Sequence, residues 1–172
     1  MNARLGPGFY QRDALVIAPE ILGKNLIRVL PDGSRLCLPV TEVEVYRGME
    51  DRANHASRGM TNRNRVMFGQ GGVIYMYLVY GMHWMFNIVT GEPGYPEALL
   101  IRGVGDITGP GRVTRQLAIG SDFYGEDLVS SERIWLTDGP PATSIIKGPR
   151  VGVDYAGEPW VSIPWRFRSK PT

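Results

Sequence analysis

Alternation of apolar and polar positions dominates the middle of the chain and predicts strands. In Val40-Thr41-Glu42-Val43-Glu44-Val45-Tyr46 a period of two places Glu42, Glu44 and Tyr46 on one face and Val43 and Val45 on the other. The same period runs through Val73–Tyr80, where Tyr75 and Tyr77 oppose Ile74, Met76 and Leu78. It continues in His83–Val89, where His83, Met85 and Asn87 oppose Trp84, Phe86 and Ile88. Gly81 tolerates the positive φ of a tight turn, so these two runs form a hairpin with Tyr80 projecting at its tip. An earlier hairpin is expected from Lys24–Leu30 and Arg35–Tyr46 about the turn Pro31-Asp32-Gly33-Ser34. Ala98–Val104, Arg133–Leu136 and Arg150–Val153 read as further strands. Helical signals are short. Asp13 caps a segment running toward Gly23 with Pro19 inside it, Gly109-Pro110-Gly111 opens Arg112–Ile119, and Gly125–Glu132 is expected as one more helix. Gly48–Gly72 has little apolar periodicity, and loops of that length in compact domains usually shape a site. Together these predict an α+β fold over residues 1–172: one domain with a curved, mainly antiparallel sheet, a projecting β-hairpin and short flanking helices.

Composition narrows the class. A chain of 172 residues with 43% apolar and 21% charged residues can bury about 70% of its unfolded surface without metals or disulfides. The longest apolar stretch, Val73–Val89, is broken by Gly81, His83 and Asn87, short of the roughly 18 residues a membrane span requires. The lone Cys37 excludes an internal disulfide framework, and the opening residues lack the apolar core of a signal peptide, so a cytoplasmic protein is expected. The net charge of +2 conceals an uneven distribution. Between Arg47 and Arg65 five arginines face two acids, and Lys147–Lys170 holds five basic residues against Asp154 and Glu158. On charge alone, solvated loops explain these segments as well as a polyanion-facing surface does.

Candidate chemistry sits on the polar faces. The Glu42-x-Glu44-x-Tyr46 strand is either an amphipathic surface strand or a carboxylate placed to hold a water and take its proton. The tyrosine-bearing hairpin face is either aromatic core or a stacking platform for flat heteroaromatic groups, where each base is worth about 1 to 3 kcal/mol. Metal ligation has little to draw on, with only His55, His83 and Cys37 as nitrogen and sulfur ligands and no His-Glu-x-x-His run. Gly69-Gln70-Gly71-Gly72 lacks the context of a phosphate loop, and no nucleophile elbow occurs. Acid/base chemistry by Glu, helped by Tyr, His and Arg, remains; no cofactor is called for.

Several motifs follow one another in the chain: Glu42-Val-Glu-Val-Tyr46-Arg-Gly48, Asn54-His55-Ala, Thr61-Asn-Arg-Asn-Arg-Val-Met67-Phe68, and Tyr75-Met-Tyr77-Leu-Val-Tyr80-Gly-Met-His-Trp84 with Asn87. Leu99–Arg102, Gly109–Arg112, Arg150–Tyr155 and Pro164–Phe167 continue the series. In order and spacing these motifs resemble the alkyladenine (3-methyladenine) DNA glycosylase family. What the resemblance implies is a monofunctional enzyme of base excision repair. It would flip an alkylated or deaminated purine out of duplex DNA and hydrolyse its N-glycosidic bond. Glu44 would be the general base and Arg102 its helper. Tyr46, His55 and Tyr77 would hold the flipped base, and Asn87 would check it against normal guanine. Tyr80 would fill the gap in the duplex, with Tyr75, Arg58, Arg63, Arg65, Arg112 and Arg150 on the DNA side. None of Lys24, Lys147 and Lys170 lies where a Schiff-base lysine would, which favours plain hydrolysis. A monomer with no cofactor, no membrane contact and no obligate protein partner is implied. Departures at Pro19, Asn62 and Met85-Phe86 bear on pocket shape and the entry loop, leaving the catalytic positions intact. Two other readings compete: a catalytically silent damaged-DNA-binding module of the same fold, and a hydrolase of free nucleosides. Intact Glu44 and Arg102 speak against the first, and Tyr80 with the basic segments against the second.

Overall fold

The structure, a computed structural model, describes residues 2–170; the outermost ends of the expected 1–172 domain lie outside them. Two helices open the chain, α1 (Pro7–Tyr10) and α2 (Ala14–Ile21), followed by β1 (Asn25–Val29) and the long β2 (Arg35–Arg47). Short 3-10 turns at His55–Arg58 and Arg65–Phe68 precede the hairpin of β3 (Ile74–Val79) and β4 (His83–Val89). Then come β5 (Glu97–Val104), β6 (Ile107–Thr108), α3 (Pro110–Leu117), β7 (Ile134–Thr137), β8 (Ile145–Gly148) and β9 (Arg166–Ser169). The order across the sheet is β3-β4-β5-β2-β1-β7, with β6 beside β5 and β9 joining β8 to β2. Every ladder among these strands is antiparallel, so the expected α+β class with an antiparallel sheet holds. No helix among the described residues is long and apolar enough to cross a membrane.

The two-residue period works because one face of each strand is buried. Val43 and Val45 of β2, Ile74 and Met76 of β3, Phe86 and Ile88 of β4 and Leu99 and Ile101 of β5 join one core with Ile17 and Ile21 of α2. α3 adds Val113 and Leu117 against β4 and β5. Truncating a fully buried ring such as Phe86 to alanine costs about 3–5 kcal/mol. α2 is tied at its start: the Asp13 carboxylate accepts from Leu15 N at 2.8 Å, and buried Glu97 accepts from Ala14 N at 3.0 Å.

β2 bridges two environments. Residues 35–39 pair with β1, whereas Glu42–Glu44 lie between β5 and β9, and the register to β5 shifts on either side of Glu42. Such irregularities re-aim side chains, here those of Glu42 and Glu44. Glu42 can sit against β5 because its partner is Gly103; a Cβ there would lie 2.6 Å from Thr41 Oγ1 and 3.1 Å from the Glu42 Cβ.

Two expected elements are absent. Gly125–Glu132 forms turns rather than a helix. The Asp127 side chain accepts from Val129 N and the Ser130 hydroxyl, an arrangement that competes with helical hydrogen bonding, and Asp127 bridges to Val73. Arg150–Val153 is likewise no strand: Val151 N donates to the Glu44 carboxylate, and Gly152 takes a φ of 72°.

Candidate active site

A cavity of about 530 Å³ opens where the polar faces of β2, β3, β4 and β5 meet the Gly48–Gly72 loop and residues 151–155. Directly behind its wall lies Glu44, fully buried. Its Oε1 accepts from Val151 N at 2.7 Å and its Oε2 from the Tyr46 hydroxyl at 2.8 Å. Arg102 Nε lies 3.5 Å from Oε1. Tyr46, Arg102 and Val151 all line the cavity, so a water reaching Glu44 passes between them. Burial pushes the Glu44 pKa up; Arg102, the Val151 N–H and the Tyr46 hydroxyl offset part of the rise. Tyr46 is pushed well above the usual phenol range by burial and by the Glu44 charge, so it stays protonated and donates. Glu42 sits one step along the strand and shares Arg102, whose Nε is 3.3 Å from its carboxylate, with Arg166 at 3.4 Å.

Aromatic rings build the facing wall. The His55 ring meets Tyr77 edge-to-face with centroids 4.4 Å apart, and His55 Nδ1 is hydrogen-bonded to the Tyr75 hydroxyl at 3.0 Å. Tyr75 and Tyr77 are 5.4 Å apart, so the three rings form one continuous surface. His55 keeps an exposed edge, while crowding by these rings first and the Arg63 charge second lower its pKa to about 4. At neutral pH it is an uncharged imidazole. Two asparagines hold its loop: Asn54 donates to Gly48 O and Pro96 O, and Asn64 donates to His55 O and Gly59 O. The Asn87 amide donates to Tyr75 O at 3.2 Å and Met85 O at 3.4 Å. Two carbonyls there require the NH2 end, which leaves Oδ1 as the free polar atom of this cavity-lining residue.

The structure gathers Glu44, Arg102, Tyr46, His55, Tyr77 and Asn87 around this one cavity. Tyr80 stands at the hairpin tip, 89% exposed, with a φ of 52° that is unusual for a residue bearing a side chain. Met82 N donates to Val79 O, closing a turn in which Tyr80 and Gly81 both have positive φ. Such strain persists where surrounding structure imposes it, often at functional positions. Arg58, Arg63, Arg65 and Arg112 are exposed and, among the described residues, none is in an ion pair.

Two residues expected on the DNA side are elsewhere. Tyr75 is 1% exposed and props His55 from behind. Arg150 has no exposed side chain; it pairs with buried Asp51 at 2.6 Å and stacks between Tyr46 and Trp165. His83, read with the polar face of the hairpin, packs instead against Gly111 of α3. Sequence reasoning missed the Val151 N–H, since a backbone donor leaves no composition signal, and Tyr155. Tyr155 is 72% exposed at the cavity mouth with its hydroxyl on Ala53 O at 3.1 Å. No three His, Cys, Asp or Glu side chains among the described residues gather as a metal site requires.

Comparison with known proteins places the chain in a family. The profile of the family described as methylpurine-DNA glycosylase matches residues 8–108 and 105–172. A protein of Methanocella arvoryzae is 43% identical, covering 94% of this chain and 90% of its own. One of Anaeromyxobacter dehalogenans is 42% identical (95% and 82%), and one of Desulfitobacterium hafniense 38% (95% and 94%). All three bear the name "Putative 3-methyladenine DNA glycosylase". The chain belongs to the methylpurine-DNA glycosylase family and is, by that membership, a hydrolase of N-glycosyl bonds.

Proposed function

We propose that this protein removes alkylated purines of the 3-methyladenine type from duplex DNA by flipping the nucleotide into the cavity and hydrolysing its N-glycosidic bond. One observation carries the reading: a fully buried carboxylate, Glu44, held by two donors and an arginine directly behind an aromatic cavity whose mouth bears an exposed, strained tyrosine. A base inside a duplex hides the bond to be cut, so the nucleotide has to leave the stack at a cost of a few kcal/mol. Tyr80 fills the space left behind, and Arg58, Arg63, Arg65 and Arg112 meet phosphates. The extruded base slots between Tyr46 and the His55–Tyr77 surface. Asn87, pinned by two carbonyls, checks the base edge by its bulk.

The reaction needs little from the protein beyond orientation. An N-alkylated purine is cationic and leaves C1′ as a neutral base, while a water adds its oxygen to the oxocarbenium-like sugar and gives its proton to Glu44. Arg102 favours the ionised form of Glu44 against the desolvation that raises its pKa, and a general base so placed contributes about 10²–10⁴ in rate. Every group in this account comes from one chain, and we read the working unit as a monomer acting on chromosomal DNA in the cytoplasm. The test is release of free methylpurine from methylated duplex DNA, followed by alkaline cleavage at abasic sites. The native protein should release base, and Glu44→Gln should bind the same DNA without releasing it. Full activity in that variant would remove Glu44 from its role.

A further inference from the structure

Arg150 and Asp51 form an ion pair with no exposed side-chain surface. Arg150 Nη1 reaches Asp51 Oδ2 at 2.6 Å and Val45 O at 2.8 Å, and Nη2 reaches Asp51 Oδ1 at 2.9 Å. The guanidinium lies 4.8 Å from the centre of the Tyr46 ring and 5.2 Å from that of Trp165. Asp51 in turn accepts from Arg47 N and Ala53 N. A pair this dry repays its desolvation only with good geometry and further hydrogen bonds, and removing one partner strands the other charge. Hydrophobic residues would stabilise the same place at lower cost, so the placement of the pair calls for an explanation in terms of the site.

That placement is specific. Glu44 has two neutral donors, the Tyr46 hydroxyl and the Val151 N–H. Arg150 stacks on the ring that carries the first and is the chain neighbour of the second. Its bond to Val45 O also fixes the strand between Glu44 and Tyr46. One bidentate fork therefore locks three segments together: the end of β2, the turn after it and the loop at residues 150–151. We propose that Arg150, anchored by Asp51, is a positioning residue that sets the orientation of the Glu44 carboxylate by fixing both of its neutral donors. This rests on the reading of Glu44 as general base.

Arg150→Lys keeps the charge and removes the fork. It should slow single-turnover methylpurine release about 10- to 100-fold, the cost of displacing a reacting group by about 1 Å. Affinity for undamaged duplex DNA should stay within about threefold, because no phosphate contact is lost. Loosened donors stabilise the ionised carboxylate less, so the acidic limb of the rate–pH profile should move to higher pH. Glu42, Arg102, Tyr77, Tyr155 and Arg166, the other ionisable groups around Glu44, are unaltered in this variant. Val151→Pro supplies an independent arm if the lysine variant does not fold: it deletes the second donor at a position whose side chain is 49% exposed. It should reproduce both the slower release and the shifted limb. Unchanged rate and pH limb in either folded variant overturns the proposal, as does a uniform loss of DNA affinity in Arg150→Lys with release of bound base unaffected. Failure of the underlying reading shows separately, as normal release by Glu44→Gln.

Discussion

Glu44→Gln is expected to make the protein more stable while abolishing turnover. Glu44 has no exposed surface, and burial raises its pKa above the ordinary 4.5 despite Arg102 and two donors. A group whose folded pKa is raised contributes stability that is fully present below the unfolded value and is lost as pH rises through the folded one. At neutral pH the ionised carboxylate is thus a net cost to folding. Glutamine has nearly the same shape: its oxygen takes the Val151 N–H, and its NH2 donates to a rotated Tyr46 hydroxyl. Arg102 stays on Glu42, 3.3 Å away. The substitution removes the buried charge at the cost of the acceptor that the Tyr46 hydroxyl proton has on residue 44. The expected outcome at neutral pH is therefore a higher Tm for the glutamine variant, because the desolvation that raises the Glu44 pKa has no counterpart in a neutral amide. Thermal unfolding of both proteins, followed by circular dichroism, should show the gap at about pH 7.5 and its closure at about pH 4, where both side chains are neutral. A glutamine variant that melts below the native protein at neutral pH would refute the reasoning, because attraction to Arg102 would then outweigh desolvation. A gap that does not vary with pH would refute it equally.

Tyr80→Ala should leave Tm unchanged, since the ring touches solvent, and slow single-turnover release by about tenfold or more through weaker capture of the flipped nucleotide; equal rates would remove its role as a wedge. The His55 ring should titrate by NMR near pH 4, and Arg63→Gln should move that midpoint toward the ordinary 6.5 by deleting one of its two causes; an unmoved midpoint would assign the shift to crowding alone. Glutamine at Arg58, Arg65 or Arg112 should each reduce the slope of log affinity against log salt by about 1, whereas Arg150→Lys should not. Affinity indifferent to salt would exclude a phosphate-reading surface.

The polar faces of β2 and the hairpin were legible because their opposite faces are committed to the core. Ile74, Met76, Phe86 and Ile88 cannot turn outward, so Tyr75, Tyr77 and Asn87 have to share the other side. Which of those residues meets a ligand is a different question, decided by distant partners. Tyr75 alternates like Tyr77, yet His55, arriving from a loop twenty residues earlier, covers it. Arg150 sits in a locally basic segment, and the acid that neutralises it is 99 positions away. β6 and β8, with two and four residues, exist only through their pairing with β5 and β9 and carry too short a period to be read. Gly125–Glu132 has helix-compatible composition, but one aspartate side chain captures the local donors.

The net charge of +2 is where this matters most for function. Glu42, Glu44, Asp51 and Glu97 are buried, against only Arg28 and Arg150 among the basic residues. The surface therefore carries two more positive charges than the whole chain, and the acids that balance the composition are spent inside, around the candidate site and at the start of α2. Exposed Arg58, Arg63 and Arg65, none of them in an ion pair among the described residues, lie on the loop that carries His55, and Arg63 lines the same cavity whose rear wall hides Glu44. A polyanion approaching this face meets arginine first, whereas the ionised carboxylate is set behind Tyr46, Arg102 and Val151. Under the proposed function, burying the base would do two things: keep negative charge off the surface that would attract phosphate, and reserve that charge for the positive character that would develop at C1′ only after the nucleotide has left the duplex.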